Sequence, residues 1–390
     1  MPKQSFIFLL LFFIILVFAN YLPHYRVSNY DLIKDSVNEG RSLILSIVTD
    51  SFSWGFEPEA TNSIITITAV GDIMMGTTFP TPLLPANDGK VLFQAVKAEL
   101  SNSDIAIGNL EAPLCDSGKS KKEISDQRSY SFCTPTKYVK NLVDAGFDVI
   151  NLANNHSFDF GWQGVKSTRN ILDSAGIKYT GIIGDIAELT IKSRKILVIG
   201  FSPHYGTYSL LNIPKAQRNI ARLKQKADIV IVTFHGGKEG INALHTKDTF
   251  EYHYDEPRGN VVQFSHAVID SGADLVLGHG PHVPRALEVY KNKLIAYSLG
   301  NFCTYGRFSV QNENGLSLIL KVNLDTLGNF VDGKIIPLLQ KPPGILITDS
   351  TGRSIKLIRE LSRFDFPLTA PDIDDSGFII PKIQEITSTY

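Results

Sequence analysis

Asp72, Glu111, Asn154, Asn155, His156, His235, His279 and His282 each stand just beyond a short apolar run of this sequence. Imidazole nitrogen combined with carboxylate and carboxamide oxygen suits Mn, Fe, Zn or Co, whereas Ca prefers oxygen alone. The candidate ligands Asp72, Glu111, Asn155, His235, His279 and His282 outnumber the four that a structural zinc uses, which points to two ions. Two ions roughly 3.5–4 Å apart activate a water and stabilise an in-line displacement at phosphorus. His156 is then the proton donor to the leaving oxygen, and Asp159 is placed to fix its tautomer. Taken singly, Gly71-Asp72 and Gly108-Asn109 are ordinary turns after a strand. His204, His245, His253 and His266 are read as hydrogen-bonded structural residues, and Lys119, Lys121 and Lys122 as a solvated loop.

Positioning such a set takes strands that end together. Apolar, often β-branched runs at Ile64–Val70, Ile105–Ile107, Phe147–Ala153, Lys195–Phe201, Ile229–Phe234, Leu275–Leu277 and Leu294–Tyr297 read as those strands. Between them, Val91, Leu92, Ala95, Val96 and Leu100 trace one helix face. Tyr138, Val139, Leu142 and Val143 trace a second, closed by Gly146, and Val261, Phe264, Ala267 and Val268 a third, ending near Gly272. This alternation predicts an α/β fold, a sheet covered on both faces with ligands bound at the strands' carboxyl ends. Beyond about Val310, Leu316–Val322, Asn329–Ile335, Gly344–Thr348 and Ser354–Ile358 read as strands of a small β-rich C-terminal extension. The expected division is 1–22 membrane segment, 23–62 stalk or linker, 63–309 metal-binding domain and 310–390 extension.

Lys3 precedes an unbroken apolar run from Phe6 to Ala19, followed by Asn20, Tyr21, Leu22 and Pro23. A basic start before such a run fits insertion from the cytoplasm outwards. The expectation is an extracytoplasmic protein anchored to the cell membrane, or secreted if cleaved after Ala19. The 390 residues are 43% hydrophobic and 20% charged with a formal net charge of −1, an ordinary globular balance that argues against a nucleic-acid binder. Cys115, Cys133 and Cys303 form no Cys-x-x-Cys pair, so thiolate zinc sites are not expected. Cys115 and Cys133 could either close a disulfide or remain two thiols. No Gly-x-Ser-x-Gly elbow or Gly-x-Gly-x-x-Gly fingerprint is present.

In order along the chain, Gly71-Asp72, Gly108-Asn109-Leu110-Glu111, Asn155-His156 with Asp159 and Gly161, His235 with Glu239, Gly278-His279-Gly280-Pro281-His282 and Tyr297-Ser298-Leu299-Gly300-Asn301-Phe302 resemble the calcineurin-like metallophosphoesterase superfamily. Within it they look most like the capsule-synthesis proteins of the CapA/PgsA (poly-γ-glutamate) type, over roughly Ile64 to Phe302. The resemblance implies a metallophosphoesterase-type layered sheet core with flanking helices. It also implies one or two divalent ions, and action beside membrane-bound polymer synthase subunits on an anionic polymer or precursor. Met74 departs from the superfamily, whose opening motif carries a second histidine there, and Glu111 takes the place of a carboxylate that usually follows Gly-Asp. By resemblance the first ion position draws on Asp72, Glu111 and His282, the second on Glu111, Asn155, His235 and His279. A metal-dependent hydrolase and a non-catalytic, metal-stabilised scaffold subunit are both compatible with these residues.

Overall fold

Strands that are apolar nearly throughout need cover on both faces, and this chain supplies it by pairing two sheets. The computed structural model describes residues 64–122 and 130–382, which belong to a compact unit spanning Asn62–Tyr390. The larger sheet begins with β1 (Ile65–Met74), β2 (Ile105–Leu110), β3 (Val149–Asn151) and β4 (Lys178–Thr180), each parallel to the next. The chain then builds a second sheet from β5 (Ala187–Ile191), β6 (Arg194–Ser202), β7 (Tyr208–Ser209) and β8 (Ile229–His235). A hairpin of β9 (Glu251–His253) and β10 (Glu256–Gly259) stands apart from both sheets. β11 (Leu275–His279), β12 (Leu287–Tyr290) and β13 (Lys293–Ala296) complete the second sheet in the order β12-β13-β11-β8-β6-β5, with β7 beside β6. The chain returns to the larger sheet with β14 (Asn301–Thr304), β15 (Leu316–Leu324), β16 (Phe330–Lys341), β17 (Ile345–Thr348), β18 (Asp372–Ile373) and β19 (Phe378–Ile380). Its order is β18-β19-β16-β15-β1-β2-β3-β4, with β14 on β1 and β17 on β16.

Side-chain alternation decides which face meets what. Ile65, Ile67 and Ala69 of β1 share one buried cluster with Val198, Ile231 and Leu277 of the second sheet, so the two sheets pack face to face. On the outer face of the larger sheet, Val70 and Ile150 pack with Leu142 and Leu172 from the helices Val139–Ala145 and Gly161–Ser174. Ile199 and Val232, on the outer face of the second, pack with Ile220 and Phe264 from the helices Ile213–Lys224 and Val261–Asp270. The layers therefore run helix, sheet, sheet, helix. Each fully buried Leu, Ile or Phe contributes about 1.5–3 kcal/mol relative to exposure.

Local sequence fixes the helix ends. Asn212 accepts a hydrogen bond from the Lys215 backbone N–H at 3.1 Å, and Asn260 one from Gln263 at 3.0 Å, each satisfying an amide that the first turn would leave free. Gly146, at φ 91°, ends Val139–Ala145 in the left-handed conformation that glycine adopts without strain.

Four expectations differ from what the chain builds. The single sheet that the strand–helix alternation predicts is two facing sheets, a layered core of the kind the resemblance implies, because an apolar strand reads the same whether a helix or another sheet covers it. The segment expected as a C-terminal extension enters the larger sheet: β15 pairs antiparallel with β1 from Ile65–Leu324 to Val70–Ile319. Ser354–Ile358, read as a strand, lies in the helix Arg353–Asp365. Its buried residues Ser354, Ile355, Ile358, Leu361 and Ser362 fall at intervals of one, three, three and one, a helical stripe longer than the window first read. Of the expected helix over Val91–Leu100, only Lys97–Ser101 is α-helical, although Leu92, Val96 and Leu100 are buried together.

The expected membrane segment 1–22 and stalk 23–62 lie outside the described residues. Among the described residues no helix is long and apolar enough to cross a membrane. Cys115 and Cys133, 18 residues apart, are joined by a disulfide. Closing a loop of that length removes denatured-state entropy worth about 3 kcal/mol. Cys115→Ser should therefore lower unfolding free energy by about that amount in urea titration of the oxidised chain.

Candidate metal centre and cleft

β1, β2 and β3 run parallel in one sheet, β8 and β11 in the other, and their carboxyl ends meet at one rim. Asp72 lies in β1, in register with Asn109 of β2 and Asn301 of β14. Glu111 directly follows β2, and Asn155 and His156 lie in the turn after β3. His235 and His279 close β8 and β11 as a directly opposed pair. His282 sits in the turn beyond β11 at φ 59°, a left-handed conformation that returns its ring towards the rim. The chain can pass this close only where side chains are missing. A Cβ on Gly71 would overlap the carbonyl oxygen of Gly300. Gly71→Ala should therefore destabilise the fold by about 1–3 kcal/mol, read as a lower urea midpoint at unchanged slope.

The polar groups interlock. His282 Nδ1 is 2.9 Å from Asp72 Oδ2 and 3.1 Å from Asn301 Oδ1. His235 Nε2 lies 3.1 Å from Glu111 Oε1. Glu111 Oε1 is also 3.9 Å from His282 Nε2, and His279 Nδ1 is 3.5 Å from Asp72 Oδ1. Glu111, His235 and His282 each offer a ligand atom within 4.8 Å of the other two. The Asn109 amide donates to Asp72 Oδ1 at 2.8 Å and to Glu111 Oε2 at 2.6 Å, joining the two carboxylates. Asn151 and Asn154 in turn donate to Asn109 Oδ1 at 2.9 and 3.1 Å, which fixes the direction of that amide.

Asp72 and Glu111 are fully buried, an arrangement that is costly unless positive charge faces them. Burial alone would lower the His282 pKa, but the hydrogen bond to Asp72 and the charges of Glu111, Asp72 and Glu239 outweigh it and raise it to about 10. Burial would raise Asp72, and the adjacent imidazoles of His279 and His282, the latter hydrogen-bonded to it, instead hold it well below the usual carboxylate range. The rim thus concentrates negative charge. Among the described residues, both ring nitrogens of His279, Nδ1 of His235 and Oδ1 of Asn155 are buried without a hydrogen-bond partner. Buried lone pairs without donors, beside two carboxylates, fit divalent cations held by nitrogen and oxygen. The position where the superfamily motif carries a histidine is apolar: Met74 is fully buried and clusters with Ala112 and Phe132.

His156 stands beside this set. Its Nδ1 is 2.8 Å from Asp159 Oδ2, and Asp159 also accepts the Phe132 backbone N–H at 2.8 Å. Lys122, from the solvated-loop reading, is a site residue: its Nζ is 2.7 Å from Asp159 Oδ1 and 3.3 Å from His156 Nδ1. Burial and the Lys122 charge lower the His156 pKa, against the opposing pull of Asp159. His156, Asn155, His282, Lys122, His204 and Arg258 line a cleft of about 880 Å³.

His245 bonds Asp365 and His266 bonds Glu288, as structural histidines do. His204 and His253, given the same reading, instead line the cleft. Asn109, Lys122 and Arg258 were not singled out as site residues, and a turn asparagine or a loop lysine carries no local signal that would single it out. The contacts that place them reach well beyond a local motif: Asn109–Asp72 and Lys122–Asp159 each span 37 positions, and Arg258–Glu239 spans 19.

Residues 66–305 match the model of the bacterial capsule synthesis protein family PGA_cap, which is more than half of the 390-residue chain. The chain belongs to that family. It is similar to the capsule biosynthesis protein CapA of Bacillus anthracis, 29% identical over 287 residues that cover 66% of each chain. The PGA biosynthesis protein CapA of Bacillus subtilis is 30% identical over 289 residues, covering 66% of this chain and 70% of the relative. A probable polyglutamine synthesis accessory protein of Mycobacterium tuberculosis is 28% identical over 274 residues, 62% of this chain and 67% of the relative. The chain thus spans about two thirds of the length of the relatives it matches. The matched stretch holds every candidate site residue, from Asp72 to His282.

Proposed function

We propose that this PGA_cap family member is an exported, membrane-anchored protein of capsule or poly-γ-glutamate-type exopolymer synthesis, with a metal-dependent, phosphoesterase-like hydrolase site. One observation carries the catalytic part: buried polar atoms of Asn155, His235 and His279, without partners among the described residues, gather with Asp72, Glu111 and His282 beside an Asp159-bonded His156. Asp72, Glu111, Asn155, His235, His279 and His282 would hold one or two ions of Mn, Fe, Zn or Co. Such ions supply Lewis-acid polarisation of a phosphoryl group and lower the pKa of an attacking water. Asp159 holds the Nδ1–H of His156, leaving Nε2 to deliver a proton to the leaving oxygen in the cleft. Lys122 adds positive charge where an anionic substrate enters. Export is supported by the Cys115–Cys133 disulfide, which persists in oxidising compartments, and by the apolar run Phe6–Ala19. The partners are then membrane-bound synthase subunits and an anionic polymer or its precursor.

The test is turnover of a chromogenic phosphodiester by the full-length chain, purified, stripped with chelator and reloaded with each metal in turn. Turnover that returns only with metal is expected. A reloaded chain that binds metal but never hydrolyses the ester would overturn the hydrolase reading. Met74 favours that second reading, a metal-stabilised accessory subunit, since an apolar cluster occupies a ligand position of the superfamily. The mycobacterial relative, named as a probable polyglutamine synthesis accessory protein, supports it.

A further inference from the structure

Arg258 is 2% exposed, yet its Nε and Nη1 have no hydrogen-bond partner among the described residues. Among the described residues only Nη2 is engaged, 2.7 Å from Glu239 Oε1 and 3.0 Å from Glu256 Oε2. A buried guanidinium with idle donors costs stability unless a ligand completes it. His204 lies on the same cleft wall, its buried Nε2 likewise without a partner among the described residues. Its ring centroid is 6.1 Å from that of His235, which puts it beside the candidate metal ligands. Glu239 ties this wall to the metal centre, with Oε2 3.9 Å from His282 Nε2 and 3.3 Å from His253 Nε2. The negative groups facing Arg258 are Glu239 and the largely exposed Glu256, and both approach Nη2 alone.

We infer that Arg258 and His204 form an oxyanion subsite beside the metal centre, binding a carboxylate or phosphoryl group of the substrate other than the group that reacts. Guanidinium is the side chain best suited to such oxyanions, and its bonds to them are charge-assisted. A substrate held here carries at least two anionic groups, as an anionic polymer or its activated precursor does. The inference rests on the metal-site reading for its geometry, and it is tested separately from hydrolysis.

The experiment is calorimetric binding of inorganic phosphate and of a γ-glutamyl-glutamate dipeptide to the metal-loaded full-length chain, with metal content measured in each sample. Arg258→Gln should weaken one of the two probes at least about tenfold, roughly 1.4 kcal/mol, without loss of metal. The probe that weakens identifies the oxyanion as phosphoryl or carboxylate. His204→Ala, at a less buried position, should weaken the same probe, and it carries the test if the Arg258 variant does not fold. Equal binding of both probes by wild type and His204→Ala, or no binding of either by wild type, overturns the inference. Wild-type turnover with unaltered binding in the variants would sink the subsite alone. Altered binding without any wild-type turnover would sink the hydrolase reading alone.

Discussion

His156→Ala should reduce metal-dependent phosphodiester turnover by about 10²- to 10⁴-fold while bound metal stays at the wild-type level. The imidazole contacts Asp159, Lys122 and the Phe132 ring rather than the carboxylates of the rim, so its removal leaves the ligand set intact. A fall in kcat with little change in KM is expected, because a proton delivered to the leaving oxygen matters only as the bond breaks. Asp159→Asn should give a smaller loss in the same direction, since the ring would remain but its tautomer would no longer be held. Turnover unchanged in His156→Ala, measured at matched metal content, would remove His156 from the mechanism.

Glu111→Gln should abolish tight metal binding. Glu111 is fully buried and reaches His235 at 3.1 Å and His282 at 3.9 Å, so it is the carboxylate common to both halves of the rim. Changing a group that merely orients a ligand costs about 10- to 100-fold in affinity, and loss of a central carboxylate should cost at least the upper figure. Elemental analysis after dialysis would show the loss directly. Metal at 100 times its dissociation constant adds about 2.7 kcal/mol to stability, so wild type should melt higher with metal than without. In Glu111→Gln at the same metal concentration that increment should vanish. A full wild-type melting shift in the variant would show that Glu111 is no ligand.

Two chemical facts about the rim bear on both experiments. Asn109 donates to Asp72 and Glu111 together, which bridges the two carboxylates and offsets part of the repulsion between them. The Cys115–Cys133 bridge closes the chain segment that carries Lys122 and Phe132 to His156. Reduction of the disulfide is therefore expected to reach turnover as well as stability, through that segment.

Strand positions were legible because β-branched and aliphatic residues form short continuous runs there, whereas in the helices they recur at intervals of three and four. Ile229–Phe234 and Leu275–Leu277 were read within two residues of β8 and β11. The set of ligand-type residues was legible for a related reason: polar groups such as His235 and His279 at the very end of an apolar strand have no hydrophobic purpose. The family was legible as well, from six short motifs in a fixed order, and the match over residues 66–305 bears it out. The helix Arg353–Asp365 was misread because a five-residue window over Ile355 and Leu357 alternates like a strand, and the stripe to Leu361 resolves only over three turns.

By itself, then, the sequence determined the kinds of donor atom, their order along the chain and the strands that end in them. Only the tertiary structure decided how two sheets face each other, that β15 joins β1, and that Asn109, Lys122, His204 and Arg258 belong to the same cleft wall and rim as the candidate ligands. The reason is range. Strand propensity and apolar periodicity act over a few residues, whereas a contact such as His282 with Asp72 spans 210 positions. Such contacts form only once packing of the sheets has fixed where each strand ends.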